Sequence, residues 1–177
     1  MRERISKKTK YLTVSAMLAA LGVIILAIGS FFEVLDISVA VIATLLAVYA
    51  VIELGGAYPW LIWLVTSVLS LLLLPQKTPA IFYAVFLGYY PILKEKLEKL
   101  RTWLSLVCKL VSFHLALCLI VLILRLFLPT QLDMGGLWWM PILLYVASLV
   151  CFLVYDVALT RLITYYLLRL RNRFRIR

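Results

Sequence analysis

The chain has 177 residues, of which 66% are hydrophobic and 15% charged, with a formal net charge of +10 and a mean hydropathy of +1.09. Apolar runs long enough to cross a bilayer recur along the whole length, which excludes a soluble globular domain and predicts an all-α, polytopic integral membrane protein. Cys108, Cys118 and Cys151 all lie inside apolar runs, without disulfide or metal-ligand spacing, and read as small hydrophobes.

Residues 1–10 form a basic arm with Arg2, Arg4, Lys7, Lys8 and Lys10. The apolar run that follows exceeds signal-peptide length and has no small-residue cleavage site, so it reads as a retained helix. Charge clusters, Gly and Pro divide the chain into six spans, roughly 11–32, 37–54, 58–74, 79–93, 103–128 and 137–168, in a single membrane domain covering 1–177. Each approaches the ~20 residues that cross about 30 Å, or is short enough to imply tilt or local thinning. The second and third are joined at Gly55-Gly56. The fourth is the shortest, and its helix is expected to continue into "LKEKLEKLR", with the charges alternating along an exposed turn at the membrane surface.

Lys and Arg set the orientation. The arm, the connector with Lys94, Lys96, Lys99 and Arg101, and the tail 169–177 with its five arginines fall on one side of a six-span chain. The positive-inside rule makes that side cytoplasmic, with both termini, in the plasma membrane. The net charge then reads as an orientation signal and as attraction to an anionic inner leaflet, and no nucleic acid need be invoked.

The first span is rich in small residues. At 100° per residue Ser15, Ala19, Gly22, Gly29 and Ser30 share one side, with Ala16, Ala20 and Ala27 beside them, while Met17, Leu18, Leu21, Ile24, Ile25 and Ile28 take the other half. Small-xxx-small spacing permits close backbone approach in lipid. The strip packs either against the protein's own helices or against another membrane protein.

The basic arm, Ala16-xxx-Ala20 on the first helix, six spans with both ends cytoplasmic and the basic tail together resemble the substrate-binding S components of energy-coupling factor (ECF) vitamin transporters. The resemblance implies uptake of a small micronutrient without cofactor. It also implies docking through Ala16 and Ala20 on a transmembrane coupling subunit driven by two cytoplasmic ATPases, and the small-xxx-small spacing adds Ser15 and Ala19 to the candidate docking face. The chain has no GxxxxGK[ST], HExxH or GxSxG motif, which agrees with a binding subunit rather than an enzyme.

Ionisable groups inside spans are functional candidates. His114, Cys118 and Arg125 share a face of the fifth span, with Arg125 about 16 Å closer to the outside than His114. Asp156, in the sixth span, falls near the depth of His114, and the two read first as an intramembrane polar pair and second as a ligand or proton site. His114 and Cys118 are too few for a metal site. Lys109 and Arg161, near the inner surface, are expected to snorkel, and Glu53 can neutralise one of them. Arg125 lies where a substrate enters. With Lys77, Tyr83, Trp138, Trp139 and Tyr145 it makes the candidate substrate-binding group, aromatic walls with a few polar groups. At least one of the two tryptophans reads first as an ordinary interface anchor. Two rival classes are a six-span scaffold resembling the rod-shape-determining MreD family, and an enzyme using Asp156 and His114 as acid and base.

Overall fold

In the computed structural model, residues 2–31, 35–127 and 139–170 are described, with side chains in the first helix from Lys8 onward. The described chain is helical, without strands. Helices α1 (Arg2–Phe31), α2 (Asp36–Glu53) and α3 (Tyr58–Leu73) are followed by a broken segment, in which α4 (Thr78–Phe82) runs into a π-helical stretch, Tyr83–Leu87, and then into α5 (Tyr90–Leu97). Helix α6 (Thr102–Phe127) and helix α7 (Met140–Tyr165), the latter ending in a π-helical turn at Tyr166–Leu170, complete the order. Among the described residues, four stretches are long and apolar enough to cross a membrane: Lys8–Phe31, Asp36–Glu53, Thr102–Ile123 and Met140–Arg169. Helix α3, at 16 residues, is a shorter apolar helix of about 24 Å.

Local chemistry explains the boundaries. Pro occupies the first turn of α3, α4, α5 and α7, where its missing N–H removes no intrahelical bond and its fixed φ suits the helix. Asp36 opens α2 at the positive end of the helix dipole. Between α2 and α3, Gly55 and Gly56 have φ of 61° and 60°. No neighbour lies within 4 Å of a Cβ built at either glycine, so these positions require glycine for its backbone freedom and not for space.

The chain divides into two compact units, Met1–Ala116 and Leu117–Arg177. In the first, α1 packs on α2 and α3, and α2 packs on α4, the π-helical stretch and α5. The buried face of α2 carries Ala40, Ala43, Ala47 and Ala50, all fully buried, and such small side chains let neighbouring helices approach closely. The part of α6 up to Ala116 turns Ser105, Phe113 and Ala116 inward, and Phe113 meets Phe86 edge-to-face at 6.0 Å. In the second unit, Phe152 and Leu159 are the buried residues of α7, seven apart on one face. Long rows of aliphatic side chains face outward, among them Leu61, Leu64, Val68 and Leu72 on α3 and Ile142, Val146, Leu153 and Val157 on α7. Patches of this extent are rare on soluble monomers.

The fourth segment departs from the single helix expected there. Pro91 has no N–H to give the Leu87 carbonyl four residues earlier, and Gly88 N–H bonds to Tyr83 O at 2.7 Å, a five-residue step that opens the π turn. Helix resumes at Tyr90 and runs to Leu97, and residues 98–100 form the turn into α6. The expected continuation into the charged sequence is therefore present. Lys94, however, is fully buried instead of lying on an exposed surface.

Candidate docking and substrate surfaces

Helix α1 has two distinct small-residue faces. Ser15, Ala19, Gly22, Gly29 and Ser30 are buried, and each meets a specific neighbour or its own helix. Thr66 Oγ1 on α3 donates to Ala19 O at 3.4 Å. A Cβ at Gly22 would meet Thr66 Cγ2 at 3.0 Å, and one at Gly29 would meet Val39 Cβ of α2 at 2.9 Å. At the end of the helix Ser30 Oγ donates to Gln76 O at 3.3 Å and accepts from Gln76 N–H at 3.0 Å, tying α1 to the connector between α3 and α4. Ser15 Oγ donates to Tyr11 O of its own helix at 2.8 Å. Ala16 and Ala20 are exposed, beside exposed Met17, Leu21, Ile24 and Ile28. Of the four expected docking residues, Ser15 and Ala19 serve internal packing, and Ala16 and Ala20 stand on the surface.

The candidate substrate residues are distributed between the units. In the first, Lys77 Nζ donates to Leu71 O at 2.7 Å and Leu74 O at 2.6 Å, answering carbonyls that the end of α3 leaves without helical donors. Tyr83 is 1% exposed, with its ring against Gly88, where an added Cβ would lie 2.8 Å from Cε1 and Cζ. In the second, Arg125 is exposed in the last turn of α6, and Trp139 and Tyr145 are exposed at the start of α7. Trp138 lies outside the described residues, as do the connector around Asp133 and the tail beyond residue 170.

His114 Nδ1 lies 2.8 Å from Leu110 O. A carbonyl only accepts, so Nδ1 is the donor in this contact. The ring also meets Phe113 edge-to-face at 5.5 Å. Asp156, in the second unit, is half-buried, and its backbone carbonyl accepts from Thr160 Oγ1 at 2.9 Å. Lys109, expected to snorkel, has a side chain only 15% exposed and an ion pair with Glu98 at 3.8 Å. Among the described residues no three His, Cys, Asp or Glu side chains group as metal ligands.

Two features were missed at the level of sequence. The first is the set of polar contacts that closes the helix break. Thr44 Oγ1 lies 2.8 Å from Ala40 O of its own helix and 3.2 Å from Leu87 O, so its one proton is shared between the two carbonyls, and Trp63 Nε1 donates to Ala84 O at 3.1 Å. Around it Trp60, Trp63, Tyr89, Phe86 and Tyr90 form a chain of ring contacts between 5.0 and 6.3 Å. The second is an ion cluster: Glu98 Oε1 stands 3.7 Å from the buried Lys94 Nζ as well as 3.8 Å from Lys109 Nζ. The signals were present as Gly88 three residues before Pro91, and as Trp60 and Trp63 spaced three apart on one helix face.

Comparison of the chain with protein-family models, curated proteins and solved structures finds no match.

Proposed function

We propose that this chain is a membrane-embedded substrate-binding subunit of an ECF-type importer. It crosses the bilayer six times with both termini cytoplasmic, captures a small micronutrient from outside, and docks on a transmembrane coupling subunit driven by cytoplasmic ATPases. The observation that carries this reading is the division of α1: its inner small residues are used by α2 and α3, while Ala16 and Ala20 present a second small surface outward. Lipid contact alone gives no advantage to alanine over leucine at those positions, whereas close approach of a partner helix does. The four long apolar helices and the outward aliphatic rows support the membrane placement. Arg125 near the end of α6 remains the leading ligand contact, because the positive-inside rule does not account for a cation there.

A specific observation favours a second reading, a scaffold resembling the MreD family. Lys77 and Tyr83, two of the proposed ligand contacts, are already used in capping α3 and filling the core. A scaffold shares the docking face but has no small-molecule ligand.

The docking face is tested by purification of the tagged protein from its native membrane, followed by identification of the proteins that accompany it. Ala16→Trp with Ala20→Trp should remove a transmembrane partner and its ATPases while the unfolding midpoint of the isolated protein stays unchanged. Retention of the partners by the double variant would refute the docking face.

A further inference from the structure

Two exposed cations, Lys96 and Arg101, lie where α5 ends and α6 begins, and Trp103 follows Arg101 by two residues in the chain. Lys96 Nζ stands 5.3 Å from the centroid of the Trp60 ring. Past the turn of residues 98–100, Arg101 is exposed, and Trp103 is 83% exposed, the most exposed large hydrophobic side chain among the described residues. The neighbouring cations have carboxylate partners: Lys99 pairs with Glu95 at 2.9 Å, and Lys94 and Lys109 share Glu98. Lys96 and Arg101 have no carboxylate partner among the described residues. From residue 94 to 109 five cations face two carboxylates, and adding Glu53 at the end of α2 still leaves an excess of positive charge.

We propose that Lys96 and Arg101, flanked by Trp60 and Trp103, form a headgroup site for one anionic phospholipid. A phosphate diester offers acceptor oxygens to the guanidinium fork and to the ammonium. Trp60 holds Lys96 at the level where indoles prefer to sit, between headgroup and acyl chain. The two indoles also give the argument for lipid over a free anion, since they offer apolar surface that glycerol and the first acyl carbons cover and inorganic phosphate does not. The site rests on the chain being a membrane protein and is independent of the importer reading.

Native mass spectrometry of the detergent-purified protein, titrated with phosphatidylglycerol and phosphatidylcholine, tests it. One phosphatidylglycerol should bind in preference to phosphatidylcholine. Lys96→Gln and Arg101→Gln should each weaken it about fivefold, the worth of one cation near an anionic surface. Lys99→Gln removes the same charge from a side chain already paired, and should change binding less than about twofold. Lys96→Arg should retain binding, and millimolar inorganic phosphate should leave the lipid bound. Equal losses for Lys99→Gln and Lys96→Gln, indifference between the two lipids, or displacement by inorganic phosphate would each overturn the site.

Discussion

The indole N–H of Trp63 on α3 donates to the carbonyl of Ala84 at 3.1 Å, taking the place that the Gly88 N–H holds in a regular α-helix. The Thr44 hydroxyl, shared between Ala40 O at 2.8 Å and Leu87 O at 3.2 Å, adds a weaker contact, so side chains of two other helices reach the carbonyls at the break between α4 and α5. In an apolar surrounding no water is available to do so.

Trp63→Phe should therefore destabilise the protein by about 1 kcal/mol, because an aromatic ring is kept and a part-buried carbonyl loses its donor. Gly88→Ala should cost a comparable amount by overpacking, since its Cβ would stand 2.6 Å from Trp63 Cδ1. Thermal unfolding in detergent measures both. A Trp63→Phe variant with the wild-type midpoint would show that the hydrogen bond does not stabilise the break.

The two faces of α1 predict opposite responses to bulk. Gly29→Val and Gly22→Leu should lower stability by about 1–3 kcal/mol, because Val39 and Thr66 already fill the space. Ala16→Trp or Ala20→Trp should change it by less than about 0.5 kcal/mol, as for exposed sites elsewhere. Equal losses on both faces, measured by the same unfolding assay, would place Ala16 and Ala20 in internal packing.

At the end of α5, Glu98 is the shared counterion of Lys94 and Lys109. Glu98→Ala should destabilise by about 1–2 kcal/mol, a moderate value because the carboxylate is 44% exposed and solvent screens it. Lys94→Met keeps the buried stem and removes the charge, so it should cost less, and it should reduce the penalty of Glu98→Ala when the two are combined. A double-mutant cycle with no coupling would show that the pair contributes nothing.

Much of this architecture was legible in the sequence. Apolar run length came within three residues of the described ends of α2, α3, α6 and α7, whereas α1 begins at Arg2, nine residues before the expected start, because hydropathy does not register a helix that continues into a basic arm. The 100° spacing of Ser15, Ala19, Gly22, Gly29 and Ser30 anticipated one buried face on α1, and Met17, Leu21, Ile24 and Ile28 are exposed as their spacing required, although Leu26 is fully buried as well. What run length did not reveal was the break after Phe82, because hydropathy is blind to a missing N–H at Pro91. The burial of Lys94 was equally hidden. A lysine beside three other charges reads as solvated, and only the packing of α5 on α2 turns it inward. Lys77 shows the same limit from the other side, as a cation expected to meet a ligand and used to cap α3.

Arg125 is the residue through which the importer account meets its ligand. Arg125→Ala should weaken binding of a small anionic or polar heterocycle by about 1.5–3 kcal/mol, the range of charge-assisted hydrogen bonds, with expression unchanged. Arg161→Ala should affect it much less. Calorimetry with the native ligand checks both, and equal affinity for wild type and Arg125→Ala would make Arg125 a snorkelling residue instead.

The central claim is that the protein holds a small molecule, and native mass spectrometry of wild-type protein purified from its own membrane measures this directly. The account predicts one non-lipid small molecule per chain, retained through gentle purification and lost or depleted in Arg125→Ala. Protein that carries only lipid, at every level of activation and in the presence of its partners, would contradict the importer reading and leave the scaffold.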